Sequence, residues 1–115
     1  MEAQVLFVGV AISSLDATRP WYERLFDRPA DIIPNENELM WRVAGDAGWL
    51  YLVVDEQRAG QSLAALSVAD LDAELAVLRS QGIRADVVEH VGEGGRKATL
   101  RDPDGNTVAL IEVPS

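Results

Sequence analysis

The chain has no cysteine and a single histidine, His90. Missing thiols rule out disulfides and thiolate metal sites, and one imidazole rules out any metal site built on two. The same absence of cysteine suits a reducing, cytoplasmic setting. No apolar stretch approaches the roughly 18 to 20 residues that span a bilayer, and an acid, Glu2, precedes the short apolar start, so neither a signal peptide nor a membrane partner is expected. Basic residues are also scarce. Ten Lys and Arg face nineteen Asp and Glu, a net charge of −9, and no basic cluster exceeds Arg96-Lys97. Such a balance repels phosphate backbones and excludes nucleic acid as a partner. It favours solubility and predicts attraction for a cationic small molecule.

What remains is an ordinary globular composition, 115 residues with 48% hydrophobic and 25% charged, enough for one core and too short for two independent domains. Val5 to Ile12 is β-rich and predicts a strand, followed by a helix that starts near Asp16 to Thr18, carries Pro20 in or near its first turn, and ends before Pro29. Ala30 to Ile33, Leu39 to Val43 and Trp49 to Val54 predict three further strands, the last two joined by the turn Gly45-Asp46-Ala47-Gly48. After a polar link from Asp55 to Gln61 the order begins again. Leu63 to Val68 predicts a strand, Asp70 a helix cap, Leu71, Leu75 and Leu78 one helical face, and Gly82 the helix end. Ala85 to Val91 predicts a strand, and Arg96 to Arg101 with Thr107 to Val113 a hairpin around Asp102-Pro103-Asp104-Gly105-Asn106. Gly92-Glu93-Gly94-Gly95 resembles a phosphate loop only in its glycines, because a strand rather than a helix follows it.

The repetition is explicit. Placing residue n on residue n+56 sets Ser14-Leu15-Asp16-Ala17 on Asp70-Leu71-Asp72-Ala73, and one deletion later Ala30-Asp31-Ile32-Ile33 falls on Ala85-Asp86-Val87-Val88. The expected architecture is α+β: a single domain, 1–115, of two tandem βαβββ modules, about 1–55 and about 62–115.

These matched segments, together with Trp21-Tyr22-Glu23-Arg24-Leu25-Phe26 and the terminal Arg101-Asp102-Pro103-Asp104-Gly105-Asn106, resemble the vicinal oxygen chelate superfamily of glyoxalase I, extradiol dioxygenases and bleomycin resistance proteins. The resemblance covers nearly the whole chain. It implies a curved, partly open mixed barrel around a pocket, a homodimer, and metal ligands on the first and last strands of each module. The corresponding residues here are Phe7 and Leu63 on the first strands and Tyr51 and Ala109 on the last. Phe, Leu and Ala cannot coordinate a cation, and one phenol is a poor substitute for carboxylates and imidazoles. No metal and no cofactor are therefore expected.

Strand alternation places Phe7, Gly9 and Ala11 opposite Val8, Val10 and Ile12, with Leu63, Ala65 and Ser67 matching them in the second module. The predicted ligand site is apolar and aromatic: Phe7, Trp41, Trp49, Tyr51, Leu63 and Ala109. A gap ambiguity in the turn before Trp49 leaves Met40 and Arg42 as the competitors of Trp41. The expected function is sequestration of a flat, cationic, aromatic small molecule, in the manner of bleomycin resistance proteins. The alternative is a glyoxalase-like lyase, isomerase or dioxygenase with His90, Tyr51 or a carboxylate as acid or base, and a third reading is a dimerisation scaffold with a filled cavity. Trp21 and Tyr22 are expected to pack the helix onto the sheet.

Overall fold

The computed structural model describes residues 1–114. Its first module contains β1 (Leu6–Ile12), α1 (Leu15–Phe26), β2 (Ile32–Asn35), β3 (Glu38–Ala44) and β4 (Gly48–Val54). The second contains β5 (Leu63–Ser67), α2 (Leu71–Ser80), β6 (Val87–Val91), β7 (Gly95–Arg101) and β8 (Thr107–Glu112). The sheets have the same strand order, β1-β4-β3-β2 and β5-β8-β7-β6, with the first strand of each parallel to the last and the other neighbours antiparallel. Neither sheet closes on itself, and the α+β duplication is as expected. Among the described residues no helix is long and apolar enough to cross a membrane.

Local chemistry accounts for the element ends. Ser14 caps α1 by accepting from the Ala17 amide, and Asp70 caps α2 by accepting from the Ala73 amide. Asp27 ends α1 in the left-handed region at φ 55, two residues before Pro29. Pro20 lies inside α1 rather than in its first turn, which removes one internal hydrogen bond. β2 begins at Ile32, two residues later than Ala30, and β6 likewise at Val87 rather than Ala85.

The helix-facing sides of both sheets meet in one core. Val10, Ile12, Leu39, Trp41, Leu50 and Leu52 of the first module join Leu71, Leu78, Leu100, Val108 and Leu110 of the second. Trp21 and Tyr22 pack there as expected, Tyr22 making tilted ring contacts with Phe26 and Trp41 at 6.3 and 6.1 Å. Burying side chains of this size stabilises the fold by roughly 1.5 to 3 kcal/mol each before entropy is counted.

A polar clasp crosses the junction between the modules. The edge strands β1 and β5 approach each other, but side chains take the place of a ladder. The Ala11 amide donates to Ser62 Oγ at 2.9 Å, while Asn106 Nδ2 donates to the Ala11 carbonyl at 2.8 Å. Asn106 Oδ1 in turn accepts from the Ser62 amide at 2.8 Å. Beneath it Asp102 is buried, accepting from the Tyr22 hydroxyl, Asn106 Nδ2 and the amides of Asp104 and Asn106. Gly105, at φ 92, lets the turn double back so that one carboxylate receives all of these donors.

Burial first and the Asp102 carboxylate second push the Tyr22 phenol far above its ordinary value. In the folded protein Tyr22 therefore keeps its proton at pH values where an unfolded tyrosine loses it. Its contribution is complete below about pH 10 and is lost as pH rises beyond that. Urea melts should show wild-type stability declining more steeply above pH 10 than Tyr22→Phe, and parallel declines would refute this assignment.

Candidate functional site

Each sheet has a second face, turned away from the core. On the first sheet it carries Phe7 and Gly9 of β1, Trp49 and Tyr51 of β4, and Met40 and Arg42 of β3. The register sets these side by side as Phe7 with Trp49, Gly9 with Tyr51, Met40 with Tyr51 and Arg42 with Trp49. Phe7 and Trp49 stack at 6.4 Å with their planes 21° apart, and the Arg42 guanidinium lies 5.0 Å from the Trp49 ring centre. Tyr51 reaches across β1 because Gly9 has no side chain. A Cβ at Gly9 would fall 2.6 Å from the phenol ring. Gly9, Ala11, Tyr51, Val53, Asp55 and Arg58 line a cleft of about 400 Å³ at this end, with Gln61 and Ser62 of the intermodule link closing one side.

Arg42 is anchored through its backbone. Its amide donates to Asp31 Oδ2 at 2.7 Å, and the same carboxylate accepts from Arg28 at 3.1 Å. The Arg28 guanidinium, helped by the Arg42 amide, holds the Asp31 carboxyl below the usual carboxylate range.

The equivalent face of the second sheet is smaller and less aromatic. Leu63 and Ala65 of β5, Lys97 and Thr99 of β7, and Thr107 and Ala109 of β8 line a shallow cleft of about 340 Å³.

The six predicted ligand residues thus divide three ways. Phe7, Trp49 and Tyr51 share the first face, Leu63 and Ala109 the second, and the two clefts are separate within one chain. Trp41 must be corrected. It is fully buried on the opposite side of β3, donating its indole N–H to the Arg28 carbonyl at 3.1 Å, and Met40 and Arg42 occupy the outward face instead. His90 is exposed on β6, opposite Arg96, on the strand face that does not carry Val87 and Glu89, and so lies away from both clefts. The linker residues Arg58, Gln61 and Ser62 were not anticipated, since a polar link carries no periodic signal.

The superfamily's metal positions can be tested on the same geometry. Phe7, Tyr51, Leu63 and Ala109 occupy the outward faces of the first and last strands, and three of the four side chains have no donor atom. Among the described residues no three His, Cys, Asp or Glu side chains gather closely enough to hold a metal ion. The donor set does not fit a cation.

Comparison with known proteins bears on the lineage. No curated protein matches the chain. The crystal structure of a glyoxalase/bleomycin resistance protein from Catenulispora acidiphila is 36% identical, covers 97% of this chain and all of the other, and superposes with a TM-score of 0.90. An antibiotic binding protein from a Streptomyces species, 24% identical over 99% of this chain and 98% of its own, has a TM-score of 0.77. A lactoylglutathione lyase from Agrobacterium tumefaciens, 16% identical over 96% and 94%, has a TM-score of 0.75. These last two likenesses establish the fold alone. A model of the Glyoxalase/Bleomycin resistance protein/Dioxygenase superfamily matches residues 4–110, so with the duplicated modules and the 36% identical structure, the chain belongs to that superfamily.

Proposed function

We propose that the protein is a metal-independent binding protein that sequesters a flat aromatic small molecule on its outward sheet faces. The observation that carries this reading is the replacement of every expected metal ligand by a side chain without suitable donors, beside a ready stacking platform of Phe7 and Trp49. The Phe7–Trp49 stack and Tyr51 offer aromatic surface to a planar ligand, and Asp55, Arg58, Gln61 and Ser62 add polar groups along the adjoining cleft. The antibiotic binding protein of the same fold is a parallel for this use.

The ligand is enclosed by a second copy of the chain. Phe7 is 52% and Leu63 83% exposed, and Leu6 beside Phe7 is exposed as well. The shared core turns both clefts outward, so a homodimer that sets the first sheet of one copy against the second sheet of the other would cover these residues and close each cleft.

The test combines sedimentation, metal analysis and a thermal-shift screen with polycyclic aromatics. We expect a dimer without stoichiometric metal, and a ligand at one hundred times its Kd stabilising the protein by about 2.7 kcal/mol, a shift of roughly 10 °C. A tightly bound stoichiometric metal, or no shift with any aromatic, would overturn the reading.

A further inference from the structure

We propose that the ligand's ring stacks on the free face of Phe7 and that the ligand carries an oxygen acceptor, a carbonyl or ether, which takes a hydrogen bond from the Tyr51 hydroxyl. The inference rests on the binding reading above and specifies its seat and chemistry.

The outward face of the first sheet leaves one aromatic surface open. Across β3, β4 and β1 the register sets Arg42, Trp49 and Phe7 in a single row, in that order. Trp49 is the middle member. The Arg42 guanidinium lies over its ring at 5.0 Å from one neighbouring strand, and Phe7 stacks against it at 6.4 Å from the other, so both of its sides are occupied. Trp49 has no face to give. Phe7 has one aromatic neighbour among the described residues and stands on the edge strand of its sheet, which turns its second face toward the open edge. Its half-exposed side chain agrees with that placement.

The Tyr51 hydroxyl lies along the same edge. Phe7 and Gly9 are two residues apart on one face of β1, roughly 7 Å along the strand, and the phenol end of Tyr51 lies over Gly9, where a Cβ would fall 2.6 Å from both Cζ and the hydroxyl oxygen. A fused-ring ligand seated on Phe7 reaches that far. The Tyr22 hydroxyl is committed to Asp102, whereas the Tyr51 hydroxyl has no hydrogen bond among the described residues. Its ring draws electron density from the oxygen, which makes the O–H a better donor than acceptor. A ligand that covered it without offering an oxygen would leave it unpaired and bind more weakly.

Three ligands that share one ring system separate the outcomes: acetylanthracene, anthracenemethanol and ethylanthracene, titrated by anthracene fluorescence into the wild-type protein, Phe7→Leu, Arg42→Gln and Tyr51→Phe. Phe7→Leu should weaken all three up to about tenfold, since leucine keeps the apolar surface but offers no ring face. Tyr51→Phe should weaken the two oxygen-bearing ligands about threefold to tenfold and leave ethylanthracene unchanged or tighter. Arg42→Gln should leave all three affinities unchanged. Tighter binding of all three to Arg42→Gln would put the ring on Trp49 in place of the guanidinium and overturn the inference. Unchanged affinities in Phe7→Leu, or an equal loss for all three in Tyr51→Phe, would overturn it as well, and each of these results leaves the binding function standing. If none of the three binds the wild-type protein, the binding function fails and the inference falls with it.

Discussion

Replacing Asn106 with alanine is expected to destabilise the protein by about 3 to 5 kcal/mol and to lower its melting temperature by roughly 12 °C or more. Asn106 is fully buried, and its amide serves three partners: the Ala11 carbonyl, the Ser62 amide and the Asp102 carboxylate. Truncation leaves all three short of a partner at once, and each buried group so abandoned costs about 1 to 3 kcal/mol. Alanine keeps the backbone donor to Asp102, so the loss is that of the side-chain amide. Thermal or urea melts measure the effect. A loss below about 1 kcal/mol would mean that water replaces the side chain and that the clasp does not hold the modules together.

Gly9→Val should separate binding from folding. The new Cβ occupies the space of the Tyr51 ring, so the phenol must swing into the cleft. Stability should change little, because the displaced atoms belong to the far end of a movable side chain and valine suits a strand better than glycine. Aromatic ligands, however, lose the seat between Tyr51 and the Phe7–Trp49 platform. An aromatic contact is worth about 0.5 to 1.5 kcal/mol beyond its area, so affinity should fall up to about tenfold from this term alone, and further where the ring now blocks the cleft. Calorimetric titration with the neutral anthracenemethanol, paired with a melt, tests this directly. Unchanged affinity would place the ligand elsewhere on the molecule.

The duplicated order of elements, the Asp70 cap of α2 and the outward faces of β1 and β5 were all legible in the sequence, because each depends on local chemistry or on simple alternation, whereas the Ser14 cap of α1 lies ahead of the expected start near Asp16 to Thr18. Counting failed at Trp41. The ladder between β3 and β4 shifts by one residue between Arg42 and Ala44, so counting back through the turn puts Trp41 on the wrong face. The bulge has no marker in the sequence there, since Gly45 and Gly48 suit several hairpin registers. The clasp was hidden for a different reason. Asp102-Pro103-Asp104-Gly105-Asn106 is sufficient as a turn, and nothing local reveals that its polar side chains also serve Tyr22, Ala11 and Ser62 from 44 to 95 positions away. The separation of the two clefts could not be read either, because it depends on which sheet faces share the core.

The parallel pairing of β1 with β4 also governs how the chain assembles as it leaves the ribosome. Leu6 to Ile12 receives its ladder partner only when Gly48 to Val54 has been made, on the order of seconds later at cellular elongation rates. During that interval an apolar, β-prone strand waits with no neighbour. Closing the first sheet does not complete its core, because Trp41 and Tyr22 still await Leu71, Leu78 and Leu110. The turn of Asp102 and Asn106 supplies both the acceptor for Tyr22 and the amide that joins β1, so β1 is secured by a residue made 95 positions after Ala11.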